Sequence, residues 1–195
     1  MPRDDFASLS DDALLLIFAQ GDDQASRTLT ARLLPRVYGH AKRLLGDAAE
    51  AEDVAQEAML RLWRMAPDWR QGEAKVTTWL YRVTANLCTD RLRRRRGTAL
   101  DEIAEPADPA PGVLAQMQTR ARGEALQAAL DLLPDRQRQA VVLRHIEGLS
   151  NPEISAVMDI SARAVESLTA RGKGTLTALL AGRRPELGYS DDDTG

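Results

Sequence analysis

Ser150-Asn151-Pro152-Glu153-Ile154-Ser155-Ala156-Val157-Met158-Asp159-Ile160-Ser161-Ala162-Arg163-Ala164-Val165 is the stretch from which the fold is read. Ser150 with Glu153 three residues on is a capping box, and Pro152 sits just inside the helix start, where a missing N–H costs nothing. The helix this opens is short and carries Ile154, Val157 and Met158 on its inner face. Asp159-Ile160 makes a turn, and Ser161 caps a second helix with Val165 and Leu168 inward. Upstream, residues 137–147 form an apolar-striped helix (Ala140, Val141, Leu143) that Gly148 closes at a C-cap position. Short helix, tight turn, longer helix is the helix-turn-helix order, whose second helix enters the major groove with its early residues on base edges.

The outward residues of that second helix are Arg163, Glu166, Ser167, Thr169 and Ala170, then Arg171 and Lys173. Arginine pairs bidentately with guanine, glutamate accepts from cytosine, and cations further along suit phosphates. Spacing alone leaves open an ordinary helical hairpin with a solvated polar face. Gly172 and Gly174 predict that the helix weakens there.

Working outward, the pattern is helical almost everywhere. Residues 12–20 and 24–45 are rich in Ala, Leu and Arg, with Leu29, Leu33, Val37, Ala41 and Leu44 at helical spacing. Asp47, with Glu50 three residues on, starts a helix striped by Val54, Ala58, Leu62 and Met65, and Pro67 ends it. Asp68 to Glu73 reads as a polar loop with one exposed aromatic, Trp69. A further helix carries Val76, Leu80, Val83 and Leu87 and ends in an arginine run before Gly97. From Gly97 to about Gln118 the periodicity fails, and Pro106, Pro109 and Pro111 among acidic and Ala residues predict a flexible acidic linker. The expectation is an all-α chain of two small helical domains, 1–96 and 119–182, joined by a linker over 97–118 and followed by an acidic tail over 183–195.

The chain has 195 residues, 44% hydrophobic and 28% charged, which suffices for a buried core. No run approaches the roughly 18 apolar residues of a membrane span, so membrane insertion is not expected. Met1 to Asp12 is acidic and lacks the order of a secretory signal. The single cysteine, Cys88, cannot form an internal disulfide and points to a reducing cytoplasm; mid-helix, it reads as a packing residue. The net charge of -3 argues against a nucleic-acid binder only until it is divided along the chain. Arg82, Arg91, Arg93, Arg94, Arg95 and Arg96 stand against Asp90 alone, whereas 97–118 holds Asp101, Glu102, Glu105 and Asp108 with no basic residue.

Arg82, Asn86, Asp90 and Arg93 share the helix side opposite the apolar stripe, and Trp69 and Trp79 lie nearby. Arginines attract the phosphate backbone and tryptophans offer stacking surfaces, a combination suited to single-stranded DNA. A solvated helix end for the arginines and a core role for Trp79 are the plain alternatives. His40, His145 and Cys88 are widely spaced and no acidic pair sits beside a nucleophile, so no enzyme, metal or cofactor is expected. The two histidines read as surface or packing residues.

Taken in order, these segments resemble the sigma-70 family of RNA polymerase subunits, in its extracytoplasmic-function group. Glu50-Ala51-Glu52-Asp53-Val54-Ala55-Gln56-Glu57-Ala58-Met59-Leu60-Arg61-Leu62-Trp63-Arg64 is similar to the region that docks on the polymerase clamp helices. Thr78 to Arg94, beginning Thr78-Trp79-Leu80-Tyr81-Arg82, resembles the helix that melts and reads the -10 element, and Leu133-Pro134-Asp135-Arg136-Gln137-Arg138-Gln139-Ala140 opens what looks like the -35 domain. The resemblance implies sigma regions 2 and 4 and a role in promoter-specific initiation with core RNA polymerase (clamp helices and flap) and promoter DNA as partners. It implies Asp53, Gln56 and Glu57 on the polymerase surface. Trp69, Arg70, Gln71, Trp79, Arg82 and Asn86 would meet the -10 element, with the loop to Glu73 and Asn86 holding a flipped base and Arg93 and Arg94 anchoring the upstream backbone. Ser161, Arg163, Glu166, Ser167, Arg171 and Lys173 would face the -35 duplex. It further implies an anti-sigma factor that holds the protein inactive, and an acidic linker that mimics RNA phosphates in the exit path. Glu166 departs from the basic residue of many relatives, and Gly172 and Gly174 interrupt a usually Ala/Arg-rich continuation. A stand-alone helix-turn-helix regulator would explain 119–181 but leaves Asp53–Trp63 and Trp79–Arg94 unaccounted for.

Overall fold

The computed structural model describes residues 5–70, 72, 74–98 and 114–181, and every regular element among them is helical. The first unit consists of α1 (Asp5–Ser8), α2 (Asp11–Ala19), α3 (Asp23–Leu45), α4 (Ala48–Met65), a 3-10 turn (Ala66–Asp68) and α5 (Val76–Thr98). The second consists of α6 (Leu114–Asp131), α7 (Asp135–Val141) with a π turn (Val142–Ile146), α8 (Asn151–Met158) and α9 (Ala162–Ala181). None of these helices is long and apolar enough to cross a membrane.

The caps set the boundaries. Asp22 accepts from the Gln24 and Ala25 amides to start α3, and Asp47 accepts from the Glu50 amide at 2.9 Å to start α4. Each satisfies orphan donors of a first turn and is worth about 1 kcal/mol. Gly46 ends α3 in the left-handed region (φ 71°), where a side chain would be strained. The Asp12 carboxylate of α2 accepts from the first amide of α5, Val76, at 3.2 Å. The start of α5 is thereby fixed by a residue 64 positions away.

The expected stripes are the cores. Leu29, Leu33 and Val37 of α3, Ala58 and Leu62 of α4, and Val76 and Leu80 of α5 close on Leu14 and Leu15 of α2. A neighbouring cluster joins Ala41, Leu44, Leu45, Val54, Ala85 and Cys88. Complete burial of each large side chain stabilises the unit by about 1.5–3 kcal/mol. In the second unit Leu130, Leu133, Val141 and Val142 form one cluster. The helix-turn-helix closes around Leu143, Ile154, Val157, Met158 and Val165.

Four expectations need correction. The linker placed over 97–118 is helical at both ends, since α5 runs through Gly97 to Thr98 and α6 begins at Leu114; residues 99–113 lie outside the described residues. So does the tail expected over 183–195. Gly172 and Gly174 do not weaken α9, which continues to Ala181. Gly172 is buried, and a Cβ there would stand 2.6 Å from a Val141 methyl, so the glycine lets α9 approach α7. Trp69 is half-buried and packed on the first core, not an exposed loop aromatic. His40 is fully buried, which excludes the surface alternative for it.

Candidate polymerase and nucleic-acid interfaces

α4 buries Ala51, Val54, Ala55, Ala58, Met59 and Leu62, and so turns Asp53, Gln56 and Glu57 outward. Arg61 donates to Glu57 at 2.8 Å one helical turn on, and this bond holds the Glu57 carboxyl below its usual range. Leu60 stands on the same face, 48% exposed, an apolar residue among charges. Sequence reading passed over Leu60 because its neighbours in the stripe face inward.

α5 separates its arginines by role. Arg95 donates to the Glu50 carboxylate at 2.9 Å and to the Leu45 carbonyl at 3.1 Å, tying the helix to the α3–α4 corner. Arg91 pairs with Asp53 at 3.5 Å. Arg82, Asn86, Arg93 and Arg94 are exposed, and Arg93 bonds Asp90 at 2.9 Å. Trp79 is half-buried against the first core, as is Trp69, whose indole N–H is buried with no acceptor among the described residues. Arg70 is exposed, and Gln71 and Glu73 lie outside the described residues. Cys88 is buried, and burial pushes its thiol up to about 12.

In the second unit the Ser150 amide and hydroxyl both donate to the Glu153 carboxylate, at 2.9 and 2.7 Å. Asp159 takes the left-handed conformation in the turn (φ 53°), which a short polar side chain tolerates. The Ser161 hydroxyl accepts from the Ala164 amide at 3.3 Å and starts α9. Arg163, Glu166, Ser167, Arg171 and Lys173 are all exposed, on the side away from Val165 and Gly172. Asn151 of α8 donates to Glu166 at 3.4 Å, and Arg171 donates to the Ser167 carbonyl at 3.2 Å.

The two units also touch each other through residues that sequence reading did not single out. Glu147 follows the π turn as its C-cap, and its amide donates to the Val142 carbonyl five residues back. Glu147 accepts from the Tyr81 hydroxyl of α5 at 2.7 Å and lies 3.7 Å from both His40 Nδ1 and the Arg43 guanidinium of α3. Burial pushes the Glu147 carboxyl up, but His40, Tyr81 and Arg43 more than offset this and leave it below its usual range. Burial, with the Glu147 bond, raises the Tyr81 phenol well above its ordinary value. Lys75 bonds Glu153 at 2.7 Å, and Arg96 bonds Asp135 at 2.6 Å. Arg138, buried, donates to the Leu44 carbonyl, and Gln127 to the Arg43 carbonyl, so the second unit caps the open end of α3. A signal existed for two of these. Arg138 falls on the apolar face shared with Val141 and Val142, and Tyr81 begins a second stripe with Ala85 and Cys88.

Two family descriptions match the chain: Sigma-70 region 2 over residues 29–98 and Sigma-70, region 4 over residues 123–176. The extracytoplasmic-function (ECF) RNA polymerase sigma factor SigE of Mycolicibacterium smegmatis is 37% identical over 179 residues, covering 88% of this chain and 69% of that protein. SigM of Mycobacterium tuberculosis, another ECF sigma factor, is 33% identical, covering 88% and 85%. Among solved structures, CnrH in complex with the cytosolic domain of CnrY superposes with a TM-score of 0.68 at 26% identity, covering 88% of this chain and 97% of CnrH. RpoE of Bartonella quintana, solved with the anti-sigma factor NepR, shares the fold with a TM-score of 0.65 at 22% identity, covering 80% and 96%.

Proposed function

The chain belongs to the sigma-70 family of RNA polymerase sigma factors, in its extracytoplasmic-function group, and on that premise we propose how its surfaces divide the work of promoter-specific initiation. Core polymerase docks its clamp helices on the outer face of α4, through Asp53, Gln56, Glu57 and the exposed Leu60, and its flap on the second unit. The exposed row on α5 binds the -10 element: Arg93 and Arg94 take the upstream backbone, while Arg82 and Asn86 meet the opened strand. Flipping a base costs a few kcal/mol of stacking, which edge contacts and stacking in a pocket must offset. With Trp69 and Trp79 half-buried, they act as walls behind that pocket rather than as free platforms. α9 lies in the major groove of the -35 element, with Arg163 and Glu166 on base edges and Arg171 and Lys173 on phosphates.

One observation carries this reading most directly. α5 is buried along two stripes, yet turns Arg82, Asn86, Arg93 and Arg94 together to solvent, in a chain whose next unit is a helix-turn-helix. The protein does no chemistry of its own and acts in the cytoplasm, where polymerase is. An anti-sigma factor holds it inactive, as the partner-bound structures of the similar CnrH and RpoE suggest. Mapping transcript start sites after overexpression tests the division. Aligned upstream regions should share two elements at fixed spacing, and a single shared element, or none, would overturn it.

A further inference from the structure

Resting on the sigma reading, we propose that Asp12 is a positioning residue for -10 recognition: from α2 it holds the start of the -10 helix, and the stretch leading into it, in the geometry that discriminates the opened base. Lys75 stands at the cap position of α5, since its carbonyl accepts from the Trp79 amide at 3.1 Å. A lysine side chain only donates, so it cannot satisfy the orphan amides of a first turn. Asp12 supplies an acceptor there, taking the Val76 amide at 3.2 Å. The Val76 side chain is fully buried in one cluster with Leu14 and Leu15, the residues that follow Ala13 in α2. α2 therefore grips the start of α5 twice, by apolar packing and by a hydrogen bond to its first amide.

α2 is itself tied down along its length. Ser10 caps it by accepting from the Ala13 amide at 3.2 Å. Arg32 of α3 donates to the carbonyls of Phe6, Ala7 and Leu9, at 2.9, 2.7 and 2.7 Å, and to the Asp11 carboxylate at 3.2 Å. Towards its other end Phe18 meets Trp63 of α4 edge-on, with ring centroids 4.7 Å apart. α2 also packs against the 3-10 turn Ala66–Asp68, which the Trp69 amide closes on the Ala66 carbonyl at 3.2 Å. The chain thus enters residues 70–75 from a turn seated on α2 and leaves them into a helix capped from α2. A segment whose two ends are fixed on one support has fewer conformations to lose when it receives a ligand. Extruding a base already costs stacking, so a pocket that had to be ordered in the same step would bind more weakly and discriminate less. Asp12 touches no base in this account and acts through the backbone of α5.

The test uses holoenzyme assembled from purified core polymerase and the full chain, as parent, Asp12→Ala or Asp12→Asn. The probes are fluorescein-labelled single strands with the non-template -10 sequence of a promoter found by start-site mapping, the same strands with each base replaced in turn, and a -35 duplex. The readout is the ratio of affinities for the matched strand and the worst-bound replacement. Partial unfolding lowers both affinities alike and leaves that ratio unchanged. Asp12→Ala should cut the ratio about fivefold, the size expected for a lost cap. Asp12→Asn, whose amide oxygen can still accept from Val76, should stay within about twofold of the parent. Both variants should bind the -35 duplex as the parent does. An unchanged ratio in Asp12→Ala, an equal loss at the -35 duplex, or an Asp12→Asn variant that fails like the alanine overturns the positioning role and leaves the sigma reading intact. If the parent holoenzyme itself prefers no -10 strand, the -10 assignment falls and the positioning role falls with it.

Discussion

Replacing Gly172 by alanine places a methyl group where α9 crosses α7. The added Cβ would stand 2.6 Å from Val141 Cγ2, 3.1 Å from the Gln137 carbonyl oxygen and 3.3 Å from Gln137 Cβ. Comfortable carbon–carbon contacts are about 3.5–4.0 Å, so something must shift. Val141 is 1% exposed within a packed cluster, and one of the other two neighbours is backbone. Overpacking of this kind costs about 1–3 kcal/mol. Helix propensity opposes it, since alanine is better than glycine by about 1 kcal/mol. The net expectation is a loss of about 1 kcal/mol, within a range of about 0–2. Gly174 is the internal control. It lies two residues on in the same helix with nothing within 4 Å of its would-be Cβ, so Gly174→Ala should gain about 0.5–1 kcal/mol. At about 2–4 °C per kcal/mol for a chain of this size, the two variants should differ in Tm by roughly 4–8 °C. Circular dichroism melts of the full chain read the difference, followed at the transition of the second unit. Equal Tm values would mean that α9 does not approach α7 as closely as the structure has it, and the reasoning from contact distance would be wrong.

Three other expectations follow from side-chain environments. With its thiol pushed to about 12, Cys88 should resist a thiol reagent at pH 8 in the native chain and react at once in denaturant; rapid native labelling would contradict its burial. Lys75, then the Ser150 amide and hydroxyl, hold the Glu153 carboxyl at about 2, below its ordinary 4.5. Its folded value is the depressed one, so its contribution is present above 4.5 and lost as pH falls toward 2. The parent's acid-induced loss of stability should therefore be shallower in Glu153→Gln, and parallel pH curves would contradict this. On -35 duplex, Lys173→Ala should weaken binding by a similar factor across sequences and lower the salt slope by about one, whereas Arg163→Ala should relax preference at one position at a cost of about 1–3 kcal/mol. Gel shifts at several salt concentrations separate the two, and identical behaviour would undo the assignment of base edge and phosphate.

What spacing could carry, it carried well. The stripes of α3, α4 and α5 and the caps at Asp47, Ser150 and Ser161 depend on residues within a turn or two of each other, and all are where periodicity put them. What failed depends on neighbours distant in sequence. Gly172 reads as a helix weakener by propensity and is kept by a contact with Val141, 31 positions earlier. Trp69 reads as exposed from its polar loop and is drawn onto the core by the chain folding back after Pro67. Tyr81 and Glu147 meet across 66 residues, and the π turn that aims Glu147 leaves no mark in hydrophobic periodicity. Likewise, nothing in the run Arg93-Arg94-Arg95-Arg96 distinguishes Arg95, which ties α5 to the α3–α4 corner, from its neighbours. Only the position of Glu50 and the Leu45 carbonyl beside Arg95 does so.

The central claim is that this chain gives core RNA polymerase its promoter choice. Reconstituted run-off transcription tests it most directly, with purified core polymerase, the full chain, and templates taken from upstream regions that respond to its overexpression. The account predicts a transcript of defined length only when both proteins are present, reduced by Asn86→Ala together with Arg93→Ala. Transcription that is independent of the chain, or no transcript from any responsive template, would contradict it.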